Sequence, residues 1–105
     1  MRSKEVMNMY VIYLSTETQA SRGFNNYGYW TGKSYVVQGE SFPITVDYRN
    51  EYSAQGHKIK VYKSKKVAEN SAKKAFDKFG HVVSVVVENY EDVPEMAYPK
   101  MLKSY

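Results

Sequence analysis

One stretch with helical periodicity, residues 64–80, constrains the fold more than any other part of the chain. Its small and aromatic residues share about 100° of a helical wheel and are Ala68, Ala72, Ala75, Phe76 and Phe79. Ser64 precedes them as a favourable N-cap, and Gly80 follows where a glycine commonly ends a helix. The pattern predicts a helix over about residues 64–79, with close-packing alanines and both phenylalanines in the core.

Stretches rich in tyrosine and β-branched residues lie on both sides of this helix and predict strands. They are residues 9–14, two short strands within 27–38 about a turn at Thr31-Gly32-Lys33, and residues 44–52, 57–63 and 81–88. In 57–63 the alternation places Ile59 and Val61 inward and Tyr62 outward. Five valines in the eight residues 81–88 are typical of a strand covered on both faces.

These elements predict an α+β fold, with a mainly antiparallel sheet of four or five strands and the helix packed on one face. The 105 residues have room for one domain, of which residues 1–8 and 96–105 are expected to be loosely ordered. The sequence leaves open whether Met1, Met7 or Met9 is the native start.

Several function classes are disfavoured by what the sequence lacks. There is no cysteine, so disulfides and thiolate metal sites are excluded. No apolar run approaches the roughly 20 residues of a membrane span, and no secretory signal is recognisable, which predicts a cytoplasmic protein without a membrane partner. His57 and His81 have no acid at a suggestive spacing, and phosphate-binding loops and nucleophile motifs are absent. We therefore expect no catalytic residues, metal or cofactor, and a protein that is not an enzyme.

The net charge of +4 is unevenly distributed. Eight lysines and two acids lie between His57 and Gly80, whereas four acids and no base lie between Glu88 and Glu95. The candidate residues for binding nucleic acid or an acidic partner are Lys58, Lys60, Lys63, Lys65, Lys66, Lys73 and Lys74. The alternative is a solvated face that keeps the protein soluble and protects strand edges.

Aromatic residues are concentrated in the predicted hairpin, where Phe24, Tyr27, Tyr29, Trp30 and Tyr35 follow one another closely. Alternation places Tyr29 and Trp30 on opposite faces of a strand, so at most one of them is expected in the core. Both are candidate aromatic contacts that could stack on bases or anchor a protein interface. The alternative is cross-strand packing within the sheet.

Residues 63–76, KSKKVAENSAKKAF, resemble the second helix of a double-stranded RNA-binding domain. The resemblance implies that Lys65 and Lys66 contact phosphates across a groove. The chain departs from that family because a valine-rich strand follows the helix and no clear helix precedes the first strand.

The order of elements over most of the chain resembles small accessory proteins of phages and prophages of Gram-positive bacteria. It comprises a YVIYL strand, a GYWTGKSYV hairpin, a KVYKS strand, an alanine-spaced helix and a valine-rich strand. The resemblance implies a non-enzymatic inhibitor or regulator, such as an anti-CRISPR protein, that binds a host protein or nucleoprotein. The alternative is direct binding of double-stranded RNA or DNA through the lysine-rich helix. An exposed strand edge or aromatic patch could also form a homodimer.

Overall fold

A four-stranded antiparallel sheet organises the structure. The computed structural model describes residues 8–16, 27–80 and 82–96. The strands are β1 (Tyr10–Thr16), β2 (Tyr27–Val37), β3 (Glu40–Val46) and β4 (Val82–Asn89), arranged in the order β3-β2-β1-β4. Helix α1 (Lys65–Lys78) lies between β3 and β4 in the chain, and a 3-10 turn (Tyr90–Asp92) follows β4. The predicted α+β class is confirmed. The predictions for residues 1–7 and 97–105, for His81 and for Phe24 lie outside the described residues.

Helix α1 begins and ends within one residue of its predicted bounds. The Ser64 hydroxyl accepts a hydrogen bond from the Val67 N–H at 3.2 Å, which confirms the N-cap. The three alanines of the predicted stripe are buried, and Phe79 is only 1% exposed. Phe76 is 46% exposed, so its predicted place in the core is wrong. It lies about 70° from the centre of the alanine stripe and therefore on one flank of the helix.

Both faces of the sheet centre are covered, which explains why neighbouring Val11 and Ile12 of β1 are both fully buried. On one face α1 packs on β1 and β4, and the core there is formed by Ile12, Leu14, Tyr62, Ala68, Ala72, Ala75, Phe79 and Val82. On the other face the core is formed by Val11, Tyr29, Val46, Ile59 and Val93. The second core is covered by chain that follows β3 and β4, so the sheet has a helix on only one side.

Residues 60–62, here called the inserted segment, lie between the start of β1 and the middle of β2. Tyr10 and Tyr62 exchange two backbone hydrogen bonds of 2.8 Å, and the Lys60 N–H donates to the Trp30 carbonyl at 2.9 Å. The strand predicted over 57–63 is therefore reduced to a single bridge. The outward position predicted for Tyr62 is also wrong: it is buried beneath α1, because the inserted segment has covered faces on both sides.

The hairpin formed by β2 and β3 turns later in the chain than predicted. Residues Thr31 to Lys33 form an irregularity within a continuous β2, where Gly32 has φ 86°. The turn lies at Gln38 (φ 50°) and Gly39 (φ 83°), and left-handed conformations at both central residues match a two-residue hairpin turn. Strand β3 correspondingly starts at residue 40 and ends at residue 46, before most of the predicted 44–52 strand.

Strand β4 is extended as predicted, but it is an edge strand. Val83 and Val86 are 56% and 48% exposed, so the expectation of a strand covered on both faces is wrong. A run of valines favours a buried strand, whereas the position of β4 at the edge depends on which strands pair over long distances in the chain.

Candidate functional site

The end of the β2–β3 hairpin, residues 35–42 and here called the hairpin tip, exposes an unusual amount of apolar surface. Tyr35, Val36 and Val37 are 46%, 65% and 47% exposed. Their partners across the hairpin are Phe42, Ser41 and Glu40, respectively. The rings of Tyr35 and Phe42 stack with their centroids 5.6 Å apart, which stiffens the tip.

The tip projects because the neighbouring strand stops short of it. The pairing of β1 with β2 ends at Tyr29, and the inserted segment reaches β2 only at Trp30. Beyond that point β3 is the one strand in the described ranges that pairs with β2. At the base of the tip, the Lys78 ammonium lies 3.5 Å from the Ser34 hydroxyl. The tip is therefore held at its base and open on its sides.

The seven candidate lysines are all exposed, but they are not brought to one point. The Lys58 ammonium lies 5.4 Å from the centroid of the Tyr52 ring, and the Lys60 ammonium lies 5.7 Å from that of Tyr62. Lys63 precedes the helix, while Lys66, Lys73 and Lys74 occupy its solvent side. Lys66, Lys73 and Lys74 therefore form a surface on the solvent side of α1, here called the basic surface, rather than a pocket.

Lys65 lies on a different flank from this basic surface. It lines a cleft of about 430 Å³ together with Tyr10, Val87, Glu88, Asn89 and Asp92. Two carboxylates beside the ammonium make this a mixed-charge environment, which is unfavourable for a phosphate. In the described part of the chain, no group of three or more His, Asp or Glu side chains is placed to hold a metal ion.

Lys33 and Lys78, which are not among the candidate residues that the sequence pattern indicates, both lie near the base of the hairpin tip. Lys78 contacts Ser34, and Lys33 follows Gly32 in the β2 irregularity, where its N–H donates to the Thr31 hydroxyl at 3.3 Å. No local signal marks them, because their proximity depends on the helix C-terminus packing near β2.

The two aromatic candidates have different surroundings. Tyr29 is 6% exposed and packs in the core opposite the helix, so its ring is not available for contact with a partner. Trp30 is half-buried, and its ring packs edge-on against Phe79 with a centroid distance of 5.5 Å. The candidate contact at Tyr29 is therefore corrected to a core position. The physical reason is that both faces of the sheet are covered at this position, which the sequence pattern could not reveal.

Tyr29 takes part in a polar contact that crosses the sheet. Its hydroxyl donates a hydrogen bond to a Glu88 carboxylate oxygen at 3.1 Å, and its ring meets Tyr13 edge-on at 4.8 Å. Burial, followed by the nearby Glu88 charge, raises the pKa of Tyr29 from 10.0 to about 12. The phenol therefore stays protonated at neutral pH and links β2 to β4 across β1.

This raised pKa predicts a specific loss of stability in alkali. Between pH 10 and pH 12 the folded chain keeps a proton that the unfolded chain releases, so stability falls as pH rises through this window. Urea unfolding at roughly pH 9 and pH 11 should show wild type losing about 1 kcal/mol more than Tyr29→Phe. Tyr52→Phe, at an exposed ring, is the control and should behave as wild type. Equal pH dependence of all three proteins would contradict the assignment.

No family model, curated protein or solved structure matches this chain. The fold and surfaces thus define its class directly: a small α+β protein with a four-stranded antiparallel sheet, one packed helix and a projecting apolar hairpin tip. Within the described ranges, no helix has the length and apolar character needed to cross a membrane.

Proposed function

We propose that this chain is a non-enzymatic binding protein that inhibits or regulates a host protein through surface contact, with the hairpin tip at the centre of that contact. The observation that carries the proposal is the exposure of Tyr35, Val36 and Val37 on a hairpin that extends beyond the rest of the sheet. The resemblance to phage and prophage accessory proteins supports a partner in the cytoplasm of a bacterial host.

The chemistry of the tip favours a protein as the partner. Interface centres are enriched in aromatic residues and depleted of charge, and an exposed aromatic ring flanked by aliphatic side chains has this character. Nucleic-acid sites instead combine rings with cations, whereas residues 35–42 include no lysine or arginine, and Lys33 and Lys78 lie at the base of the tip rather than on it. The stacked Tyr35–Phe42 pair and the two-residue turn hold the tip in one shape, which lowers the entropy lost on binding.

A second candidate function is binding of double-stranded RNA or DNA through the basic surface. The supporting observation is that Lys66, Lys73 and Lys74 are exposed on α1, with no ion pair to a described carboxylate. Such lysines would contact phosphates and release counterions, which makes affinity fall steeply with salt. Lys65 supports this candidate less, because Glu88 and Asp92 line the same cleft.

One experiment with matched variants separates the two functions. Val36→Asp places a charge on the hairpin tip, and Val67→Asp places one at a similarly exposed position on α1. The proposal predicts that the chain captures a stoichiometric host protein, and that Val36→Asp weakens this binding about tenfold or more while Val67→Asp does not.

The lysine arm of the same experiment uses Lys66→Glu combined with Lys73→Glu and Lys74→Glu. Binding to labelled duplex RNA, duplex DNA and single strands is followed by fluorescence anisotropy at several salt concentrations. Salt-sensitive binding that the lysine variant loses and Val36→Asp retains would establish the second candidate and overturn the first. Captured host protein with no anisotropy change supports the first.

A further inference from the structure

The sheet has two edges, and they differ in how they are protected from further pairing. Strand β3 starts with Glu40 and contains Pro43, which has no N–H to donate, and both features discourage another strand. Strand β4 contains no proline or lysine, and its one charged residue is Glu88 near its end. In the described chain no strand pairs with the outer side of β4. The outer edge of β4, here called the open edge, is therefore unprotected by any described residue range.

The backbone groups on this open edge can be assigned from the pairing of β1. Tyr10 exchanges both of its backbone hydrogen bonds with Tyr62, on the side of β1 that faces β2. Because these groups alternate in direction along a strand, those of Val11 and Tyr13 point toward β4. Their register partners on β4 are Glu88 and Val86, respectively. The N–H and C=O groups of β4 that point outward are thus those of Val85, Val87 and Asn89.

Exposed apolar side chains accompany these backbone groups. Val86 is 48% exposed on the face opposite α1, and Val83 is 56% exposed beside the irregularity at the start of β4. Phe76 lies on the α1 flank that faces the same edge. Lys65, on that flank, lines a cleft with β4 residues, whereas Lys78 on the opposite flank reaches β2.

We propose that a second copy of this chain pairs with the open edge of β4, antiparallel and about a two-fold axis at Val86. In this register Val85 of each copy lies opposite Val87 of the other, and each such pair exchanges two backbone hydrogen bonds. The two Val86 side chains meet at the axis, and Ser84 of each copy lies opposite Glu88 of the other. No like charges are opposed, so the edge is complementary to itself.

The helices are compatible with this arrangement. α1 contacts both β4 and β1, and Lys78 at its C-terminus reaches β2, so its axis lies inward of the edge. For an axis midway between β4 and β1, a strand spacing of about 4.8 Å separates the two helices by roughly 10 Å, close to normal helix packing. α1 runs antiparallel to β4, because its first residue lines a cleft with Val87 to Asn89 and Phe79 bonds to Val82. In the pair, Glu69 on the facing flank of each helix would lie within about one turn of Lys73 of the other copy, which borders that flank on the solvent side.

This pairing does not depend on the proposed function, because the hairpin tip belongs to β2 and β3, at the edge of the sheet opposite to β4. It would join the sheets of the two copies into one and place the two tips at opposite ends, about 30 Å apart across the strands. A dimer of this form would present two equivalent contact surfaces to a partner.

The first test introduces a single cysteine into a chain that has none. Val86→Cys places two sulfurs at the axis, where opposed residues lie about 4.5 Å apart between Cα atoms and can form a disulfide. Mild oxidation is expected to convert this variant largely to a covalent dimer. Val36→Cys, at the more exposed hairpin tip, is the matched control and should stay largely monomeric. Equal cross-linking of the two variants would overturn the register.

The second test measures the mass of the native chain in solution. Sedimentation equilibrium should give twice the chain mass, and Val86→Lys should raise the dimer Kd about tenfold or more, because two ammonium groups then oppose each other. A mixture of Val86→Lys with Val86→Glu should restore a heterodimer, and Val36→Lys should dimerise as wild type does. A wild-type chain that stays monomeric at every concentration overturns the proposal, and so does a dimer that Val86→Lys leaves unchanged.

Discussion

Replacement of Phe79 by alanine is expected to lower the free energy of unfolding by about 3–5 kcal/mol. Phe79 is 1% exposed, caps the C-terminus of α1 and packs edge-on against Trp30. Its removal leaves a cavity at the point where helix, β2 and the inserted segment meet. Urea unfolding followed by tryptophan fluorescence measures the loss, and the single Trp30 lies beside the substituted ring.

Phe76→Ala is the matched control for this experiment, since it makes the same change three residues earlier. Because Phe76 is 46% exposed, Phe76→Ala should lower the free energy of unfolding of the monomer by about 1 kcal/mol or less. The comparison is made at low concentration, because the proposed β4 dimer would bury part of this ring. Equal losses for the two variants would contradict the orientation of α1, in which Phe79 faces the core and Phe76 faces solvent.

Replacement of Gly28 by alanine is expected to cost about 2–3 kcal/mol. Gly28 lies in β2 between β1 and β3, and an added Cβ would come within 2.6 Å of the Thr45 hydroxyl and 2.7 Å of its Cβ. That approach is closer than side-chain carbons tolerate, so β3 would have to shift. Thermal or urea unfolding of the variant measures the loss.

Two controls make this prediction specific. Gly80→Ala should change stability by about 0.5 kcal/mol or less, because an added Cβ meets nothing within 4 Å there. Combining Gly28→Ala with Thr45→Gly removes both clashing atoms, so the pair should show a favourable coupling relative to the sum of the single effects. Additive losses would mean that the strand destabilisation has another cause.

The helix and the fold class could be predicted because their signals are local. Ser64, the alanine spacing and Phe79 all lie within seventeen residues, and each acts through contacts with near neighbours in the chain. The same pattern located the buried stripe of α1 correctly. It failed at Phe76, because a residue on the flank of a stripe is buried only if the neighbouring strand extends beneath it.

The hairpin tip could not be located for a related reason. Gly32 and Gly39 both adopt positive φ, and the sequence pattern alone selected the wrong one as the turn. What distinguishes them is that the Thr31 hydroxyl donates a 2.7 Å hydrogen bond to the Ile44 carbonyl, which holds the irregularity around Gly32 inside the sheet. This contact joins residues that only the completed hairpin brings together.

The sequence by itself determined three features of this chain. It has an α+β fold with one helix packed on a sheet, its helix starts and ends close to the predicted residues, and lysines cover the solvent side of that helix. Those features follow from periodicity and capping, which act over one or two turns of chain. Only the tertiary structure decided that Tyr62 inserts between β1 and β2, that β4 is an edge, and that the hairpin tip projects. Strand order depends on pairings between distant residues, and it is strand order that decides which apolar side chains are covered and which remain exposed.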